Sequence, residues 1–484
     1  MKKLLFLATA LVLTLVSASA ATAATINVNT TDDVYGGSAT ACSLREAITA
    51  SQTNAVYDGC SAGSGPDVIS LPAGEYKITR AGANEDANVT GDFDVTGTNA
   101  LTIEPAGSTA KVTVNGNALD RVFDQQGNNQ LSLRNLSMKG GKLTGINDGG
   151  GIRNNVGELT LDGSTLSGNS SEGQGGGVAV YNQATAINST VSGNSAEGNG
   201  GGFYIPGGAT LSVKSSTITA NTADADNDGN GYGGGFADGG ATSINFTNVI
   251  NAANKDLSAA PVNAADCYSG PFYFPDYTMQ IQAFGAGNCL IGFNPGTNKV
   301  VPNPMIGPLQ DNGGQTPTHA LLEGSPAIGA GAPAGPDQCP AKDQTGRDRP
   351  AGGCDIGAVQ YVAPTPPPPP PGAVTVKIAK IKPKPLKLKR GKKAKAVSVT
   401  VQTTSEAAAV NTKLCLKKPG KAVKKSLKIK GKLCRSIGTL VGNKTVKFKI
   451  AAKKKAKKKT FKLKAVLTAT DAMTKTGVIK VKVK

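Results

Sequence analysis

The chain has 484 residues and a net charge of +19, with 62 glycines, eight cysteines, one histidine and no tryptophan. Glycine at this frequency argues against a helical protein, because each glycine inside a helix costs about 1 kcal/mol relative to alanine. The single histidine, His319, excludes metal or catalytic sites that need two.

The first 24 residues are predicted to be a secretory signal peptide. Two lysines follow Met1, an apolar run spans residues 4–16, and Ala21-Thr22-Ala23 has the small-residue pattern of a cleavage site. No later segment has the roughly 18 apolar residues that a membrane-spanning helix needs. We therefore expect an exported protein without a transmembrane segment, either secreted and extracellular or held at the cell surface.

Eight cysteines in an exported chain predict disulfide bonds. Loops as short as those between neighbouring cysteines would each add about 3 kcal/mol on the chain-entropy model. Free buried thiols are the alternative, and metal binding is disfavoured because no Cys-x-x-Cys pair occurs. Nearest-neighbour pairing predicts four bonds, which join Cys42 to Cys60, Cys267 to Cys289, Cys339 to Cys354, and Cys415 to Cys434.

Residues 42–48, Cys-Ser-Leu-Arg-Glu-Ala-Ile, predict a short capping helix. Ser43 and Glu46 have the spacing of a capping box, and Leu44, Ala47 and Ile48 form one apolar face. Such a helix would cover the end of a solenoid, where unpaired strand edges invite association. We assign residues 25–120 to this cap and the first coils. Catalysis by Arg45 and Glu46 is the alternative.

Three consecutive blocks then repeat one pattern at a spacing of about 25 residues, in residues 149–169, 175–194 and 200–221. Each block has a glycine triplet, an alternating apolar and polar run, and a Ser-Thr-apolar-Ser/Thr-Gly/Ala-Asn segment. A degraded fourth copy starts at Gly233 and continues through Ile244 and Val249. A period of this size indicates a solenoid, and the period-2 alternation indicates strands with one buried face. We predict an all-β fold with a parallel β-helix core over residues 121–300, with three short strands in each coil.

Equivalent residues of successive coils should stack about 4.8 Å apart. The asparagines that end the blocks, Asn169, Asn194 and Asn221, should form a ladder in which side-chain amides bond both neighbours. The apolar stacks should join Leu131, Leu133 and Met138 to Leu159, Leu161 and Leu166, then to Ala184, Ala186 and Val191, then to Leu211, Val213 and Ile218.

An acidic turn edge is the predicted cation site. Glu172, Glu197 and Asp224 each lie three residues after one of the stacked asparagines. The third coil is longer, and Asp224, Asp226 and Asp228 have the Asp-x-Asp-x-Asp-Gly order that begins a calcium loop. A Ca²⁺ ion is one interpretation of this edge. Solvated acidic turns and catalytic carboxylates are the alternatives.

Both ends of the predicted β-helix resemble one family of exported bacterial proteins. The first resemblance is the Cys-Ser-Leu-Arg-Glu-Ala motif at residues 42–47, for which the CSLREA family is named. The second is to the choice-of-anchor Q region, in residues 311–322, 324–328 and 353–361.

The resemblance covers about residues 25–361 and implies that residues 301–361 are a C-terminal cap. It implies a right-handed, pectin-lyase-like β-helix at the cell exterior, and it implies no particular reaction. The coils are more loosely similar to the repeats of chlamydial polymorphic outer-membrane proteins.

No catalytic residue is predicted. Enzymes of the pectin-lyase class use aspartates with a Gly-His-Gly step, or calcium-binding carboxylates with an arginine base. The coils contain no histidine, and their arginines Arg121, Arg134 and Arg153 have no dense acidic strand predicted beside them. We expect His319 to be a structural histidine. A lyase or glycoside hydrolase acting on acidic polysaccharide is the alternative function.

The composition changes after a proline-rich linker at residues 362–373. Residues 374–484 contain 35 lysines and arginines against two acidic residues, a net charge of +33, so the rest of the chain carries −14. Lysine alternates with apolar residues in about seven runs, which predicts a small immunoglobulin-like β-sandwich. A solvated hairpin end that binds polyanions is predicted at Lys453, Lys454, Lys455, Lys457, Lys458 and Lys459.

A domain with this charge attracts polyanions. Lysine lacks the planar fork of arginine, so it suits attachment to phosphate or carboxylate polymers without sequence recognition. We predict a non-catalytic surface protein whose basic domain binds cell-envelope polyanions, while the β-helix presents a face to extracellular glycans or other cells. Nucleic acid is less favoured because stacking aromatics are scarce, and a merely soluble charged face is a further alternative.

Overall fold

The computed structural model describes residues 23–83, 85–258, 265–268, 278–280, 299–301, 303–332, 339–350, 353–363, 376–403, 408–417, 420–470 and 472–484. The chain divides into two units, Met1–Ala363 and Pro364–Lys484. Most of the predicted signal peptide and Cys289 lie outside the described residues.

The first unit is a parallel β-solenoid whose coils build four sheets, A to D. Sheet A contains Thr25–Asn27, Asp67–Leu71, Leu101–Pro105, Gln130–Arg134, Glu158–Asp162, Gln183–Ile187, Thr210–Lys214 and Ser243–Thr247. Sheet B contains Gly74–Lys77, Val112–Asn115, Leu136–Lys139, Thr165–Ser167, Thr190–Ser192, Thr217–Thr219, Val249–Ala252, Thr278–Gln280 and Lys299–Val300.

The other two sheets complete the coils. Sheet C contains Lys142–Leu143, Ser170–Ser171, Ser195–Ala196, Thr222–Ala223 and Lys255–Asp256. Sheet D contains Phe93–Val95, Phe123–Gln125, Ile152–Asn154, Val178–Val180, Phe203–Pro206, Phe236–Gly239 and Cys267–Tyr268. The prediction of three strands per coil missed sheet C, because strands of two residues are too short to show an alternating pattern.

The apolar stacks have the predicted register. Leu166 lies opposite Met138 in the preceding coil and Val191 in the next. Leu159 and Leu161 are likewise opposite the leucines and alanines predicted for them. In the fourth copy, however, Asn251 rather than an apolar residue lies opposite Ile218, so this stack ends there.

The predicted asparagine ladder is present and continues past the repeats. Asn169 Nδ2 donates to Asn194 Oδ1 at 2.9 Å, and Asn194 Nδ2 donates to Asn221 Oδ1 at the same distance. Asn221 Nδ2 donates in turn to Asn254 Oδ1, and Asn254 Nδ2 to Asp266 Oδ1 at 3.0 Å. The ladder therefore ends on a carboxyl group, which the repeat pattern did not predict.

Burial raises the pKa of this Asp266 carboxyl to about 7 from an ordinary value near 3.8. The folded protein therefore binds this proton more tightly, so its contribution to the free energy of unfolding is largest below pH 4 and is lost as pH rises through 7. Asp266→Asn keeps an acceptor for Asn254 and removes the charge. We expect the variant to be more stable than the parent above pH 8, by an amount of the order of 4 kcal/mol, with the advantage disappearing at acidic pH.

Urea unfolding of parent and variant between pH 4 and 9 measures this difference. The matched control is Asp348→Asn, because Asp348 is exposed and pairs with Lys342. We expect the control to give no gain in stability above pH 8. A parent and Asp266→Asn variant with parallel stability profiles would contradict the prediction.

A second ladder, of serines, lies at the turn between sheets A and B. Ser164 N donates to Ser189 Oγ at 3.2 Å, and Ser189 N donates to Ser216 Oγ at 3.0 Å. Each hydroxyl in turn donates to a backbone carbonyl, as Ser189 does to Leu161 at 3.2 Å. The serine of the Ser-Thr repeat therefore satisfies buried backbone groups at a turn, which explains its recurrence.

Helix α1, Leu44–Thr53, begins with the predicted capping box. Ser43 Oγ accepts from Glu46 N at 3.1 Å, and the Glu46 carboxylate accepts from Ser43 N at 2.9 Å. The apolar face of α1 belongs to the same buried cluster as the solenoid interior. Arg45 is fully buried, with its Nε donating to Asp33 at 2.7 Å and a guanidinium Nη donating to the Gly91 carbonyl at 2.7 Å. The motif is therefore built as a structural cap.

The segment predicted as a C-terminal cap lies instead along the side of the solenoid. We call residues 303–332, 339–350 and 353–361 the strap. It includes an antiparallel pair, Ile306–Gln310 with Thr318–Leu321. Gln315 donates to the carbonyl of Ala110 at 2.9 Å at one end, and Gly357 N donates to the carbonyl of Asn248 at 2.8 Å at the other. The strap thus bridges several coils.

The strap binds the outer face of sheet B through the threonines of the repeat. Thr165 Oγ1 donates to the Pro317 carbonyl at 2.7 Å, and Thr190 Oγ1 donates to Gln344 Oε1 at 2.7 Å. Thr217 Oγ1 accepts from Ala358 N at 3.1 Å. All three threonines are buried, so the strap covers this threonine column of the repeat.

His319 is part of this interface. Its Nδ1 donates to the Gly307 carbonyl at 2.7 Å, and its Nε2 lies 2.8 Å from Ser192 Oγ. Both side chains are buried, and burial lowers the pKa of His319, so the neutral ring accepts from the serine. These contacts are those of a structural histidine packed between strap and sheet.

The described residues of the second unit form nine strands, rather than about seven, and one short helix, α2, Lys421–Ser426. Sheet E contains, in spatial order, Val376–Lys382, Lys395–Thr403, Asn443–Ala452 and Leu427–Lys430. Sheet F contains Leu386–Leu388, Ala472–Val483, Thr460–Ala469, Ala409–Leu416 and Cys434–Leu440. The two sheets share one apolar core. Their strand orders match an immunoglobulin sandwich, in which a four-stranded sheet, here sheet E, packs against a sheet built around strands G, F and C, here sheet F.

Disulfide bonds join Cys42 to Cys60, Cys339 to Cys354, and Cys415 to Cys434. The first ties α1 to the segment that follows it, the second closes a loop in the strap, and the third links two neighbouring strands of sheet F. The fourth predicted pair involves Cys289, outside the described residues. Within the described part of the chain, neither helix is long and apolar enough to cross a membrane.

Candidate polyanion-binding faces and acidic clusters

The outer face of sheet F carries exposed lysines that lie directly opposite one another. Lys462 is paired with Lys480 on the neighbouring strand, and Lys387 is paired with Lys482. The alternate residues of the same strands are the apolar core, so the pleat forces every one of these lysines outward. Like charges directly opposite destabilise a sheet. Repulsion between these lysines therefore lowers the stability of the free protein, and bound anions would relieve that repulsion.

Sheet E has a similar face. Lys382, Ser398 and Lys447 form one row across three strands, and Lys449 lies opposite Lys430. The pKa of the exposed Lys380 is lowered because the ammonium group of Lys382 lies beside it on the same strand. Both outer faces of the sandwich are thus rows of crowded lysines separated by small polar residues.

The lysines have no carboxylate partners among the described residues of this unit. Its two acidic residues, Glu406 and Asp471, lie outside the described residues. In the described part of the second unit no ion pair is formed, whereas the solenoid pairs several of its cations, such as Lys139 with Glu75. The positive field of the sandwich is therefore uncompensated over its described surface.

The predicted lysine cluster joins the two sheets. It connects Asn443–Ala452 of sheet E to Thr460–Ala469 of sheet F, so it is a link at one end of the sandwich rather than a hairpin within one sheet. Ala456 is buried at its centre. The exposed residues are Lys453, Lys454, Lys455, Lys457, Lys458 and Lys459.

The predicted acidic edge is only partly brought together. One carboxylate oxygen each of Asp224, Asp226 and Asp228 lies within 4.8 Å of the others. Burial is the main cause of the raised pKa of Glu197, and the nearby carboxylates of Asp226, Glu172 and Asp228 raise it further. Glu172 binds a different turn. Its Oε2 accepts from Gly145 N at 2.5 Å in an earlier coil.

A second acidic cluster was missed by the sequence analysis. Asp94, Asp124 and Arg153 are in register on three successive strands of sheet D. The Asp124 carboxylate accepts from Arg121 Nη1 at 2.7 Å and from Arg153 Nε at 2.9 Å. Two of the three arginines for which no dense acidic strand was predicted, Arg121 and Arg153, therefore pair with an aspartate of this cluster. The signal was the recurrence of Phe-Asp at residues 93–94 and 123–124.

This cluster is buried and contains one carboxyl with a strongly raised pKa. Burial raises the pKa of Asp94 to about 7, and Asp124 forms ion pairs with two guanidinium groups. Both residues have an exposed fraction of 0%. The geometry therefore supports a buried ion-pair network that joins the first coils.

No protein-family model matches the chain, and no curated protein matches it. The resemblance to the CSLREA and choice-of-anchor Q proteins stays a prediction from the two motifs.

Proposed function

We propose that this chain is a non-catalytic surface protein whose lysine-covered sandwich attaches it to anionic polymers of the cell envelope. The observation that carries the proposal is the pairing of lysine with lysine across both exposed sheet faces, without carboxylates among the described residues. Export and a position at the cell surface belong to the proposal and rest on the N-terminal sequence and the cysteines.

The arrangement suits a repeating anion better than a single small ligand. Neighbouring strands hold their lysines about 4.8 Å apart, and lysines two positions apart on one strand are separated by roughly 6.8 Å. Such a grid of point charges can meet successive phosphates or carboxylates of a polymer in many registers. It offers no bidentate geometry and few exposed aromatic rings, so recognition of a nucleic-acid sequence is disfavoured.

The solenoid contributes a separate surface in this proposal. It carries the negative balance of the chain, and its turns are rich in serine, threonine and asparagine. We propose that it presents these polar turns to extracellular glycans or to other cells while the sandwich is held at the envelope.

Salt dependence tests the attachment. We expect the whole chain to bind purified cell walls and immobilised polyphosphate, and the logarithm of the binding constant to fall linearly with the logarithm of salt concentration. Replacing Lys462, Lys464, Lys480 and Lys482 with glutamine should reduce that slope by roughly one unit for each lysine–phosphate ion pair that the substitutions remove.

The matched control places arginine at the same four positions, which keeps the charge and should keep the binding. Neutral dextran and duplex DNA are the comparison ligands. Binding that is independent of salt, or a glutamine variant that binds as tightly as the parent, would refute electrostatic attachment by this face. A clear preference for DNA over polyphosphate would favour the nucleic-acid alternative.

A further inference from the structure

The acidic loop of the third repeat is longer than the turn it replaces. In the preceding coil, three residues separate Ala196 of sheet C from the next glycine triplet, whereas nine residues, 224–232, separate Ala223 from Gly233. The insertion is not packed into the solenoid interior. It follows Thr222–Ala223 of sheet C and carries aspartates at three alternate positions, of which Asp226 and Asp228 are exposed.

Asp224 is the first residue of this loop, and both its backbone and its side chain are constrained. Its backbone is left-handed, with φ of 53°, and its side chain is buried. Oδ1 accepts from Gly229 N at 3.0 Å, which closes the loop, but Oδ2 is buried without any hydrogen-bond partner. An unpartnered buried carboxylate oxygen is costly, so this atom points to a missing ligand.

The neighbouring groups are oxygens of the same charge. Asp228 accepts from Asn230 N at 2.8 Å and from its Nδ2 at 3.0 Å, which orients its carboxylate within the loop. Burial and the Asp228 carboxyl raise the pKa of Asp224. No lysine or arginine of the described residues pairs with Asp224, Asp226 or Asp228, although the solenoid pairs aspartates elsewhere.

From these contacts we infer that Asp224, Asp226 and Asp228 bind one calcium ion, with the unpartnered Oδ2 of Asp224 as the buried ligand. Oxygen donors alone, on a loop with one exposed side for water, suit Ca²⁺ better than Mg²⁺, which requires near-ideal octahedral geometry. Affinity should fall in the range of extracellular modules, about 10⁻⁴–10⁻³ M. Glu172 is not a ligand, in contrast to the sequence prediction. This inference is independent of polyanion attachment.

Equilibrium dialysis of the whole chain against calcium at about 1 mM tests the site. We expect the parent to bind one more ion than an Asp226→Asn, Asp228→Asn variant, whose substitutions are isosteric and exposed. Magnesium should bind at least about tenfold more weakly. Glu172→Gln is the control, and it should bind as many ions as the parent. Equal binding by the parent and the double variant, or a loss of the ion in Glu172→Gln, would overturn the assignment.

Hydrogen exchange gives a second, local readout. Calcium should slow exchange of the amides in residues 224–232 of the parent and leave the same amides of Asp224→Asn unchanged. Without calcium, Asp224→Asn should exchange more slowly there than the parent, because it removes the unpaired buried charge. Calcium-independent exchange of this loop in the parent would also overturn the proposal.

Discussion

Replacing Asn194 with alanine is expected to lower the free energy of unfolding by about 3–5 kcal/mol. Asn194 Oδ1 accepts from the backbone N of Asn169 at 3.1 Å as well as from its side chain, and Asn194 Nδ2 donates to the Leu166 carbonyl at 3.2 Å. Alanine leaves the Asn169 backbone N–H and the Leu166 carbonyl without these partners, and Asn169 Nδ2 keeps only its bond to the Met138 carbonyl at 3.3 Å. Each unsatisfied group costs about 1–3 kcal/mol, and the ladder on both sides is interrupted.

Urea unfolding followed by far-ultraviolet circular dichroism measures the effect. The matched control is Thr185→Ala, because Thr185 is half-buried and faces outward on the sheet A strand Gln183–Ile187 of the same coil. We expect this control to change stability by less than about 0.5 kcal/mol. If Asn194→Ala cost no more than the control, the ladder would not be a principal source of stability.

Replacing Arg349 with methionine is expected to loosen the strap where it contacts the solenoid and to cost about 3–5 kcal/mol, because buried acceptors lose a charged donor. The buried guanidinium donates to Asn188 Oδ1 at 3.1 Å, and within the strap to the carbonyls of Gly357 and Ala358, both at 3.0 Å. Burial lowers the pKa of Arg349 to about 10, and the nearby Asp343 and Asp355 oppose that shift. Methionine fills the space but removes this donor from Asn188 Oδ1 and from the Gly357 carbonyl, while the Ala358 carbonyl keeps only the backbone N–H of Gln344 at 2.9 Å.

Hydrogen exchange across the strap is the appropriate measurement, because the solenoid itself should remain folded. Amides of residues 339–361 should exchange faster in Arg349→Met, together with those of the strands that the strap covers. Arg347→Met is the control, since Arg347 is on the same segment but exposed. Unchanged exchange in Arg349→Met, or an equal acceleration in both variants, would contradict a specific role for Arg349.

The interior of the solenoid could be predicted because its determinants are local and repeat. Leu166, Val191 and Ile218 occupy one position of one pattern, and parallel pairing places equal positions above one another. The asparagine ladder followed from the same logic. Its terminus at Asp266 did not, because that residue comes from outside the repeat.

The interface between the strap and sheet B could not be predicted, because the residues that meet there are far apart in sequence. Thr190 and Gln344 are 154 residues apart, and the repeat alone gives no sign that the threonine column is covered. The buried row of Asp94 and Asp124 was missed for a related reason. Both aspartates are on outward positions, which a pattern of one buried face assigns to solvent.

The lysine-rich composition of the candidate binding face could be predicted, but the positions of the lysines on the two sheets could be predicted only in part. Net charge and alternating lysines indicated a basic sandwich. Pairing of Lys462 with Lys480 depends on the register of two strands, which composition does not determine. The conspicuous run at residues 453–459 proved to be a connection between sheets, and the broader lysine surfaces are on the sheets themselves.

The strap also determines how the solenoid carries tension. The chain leaves it at Tyr361, whose backbone N–H donates to Asp355 at 2.6 Å, and continues into the proline-rich linker. A pull on the C-terminal tail would thus reach the strap first, and the contacts of the strap extend from Ala110 to Asn248. In the proposed surface attachment, these contacts would share the load among several coils before it reached the terminal coil.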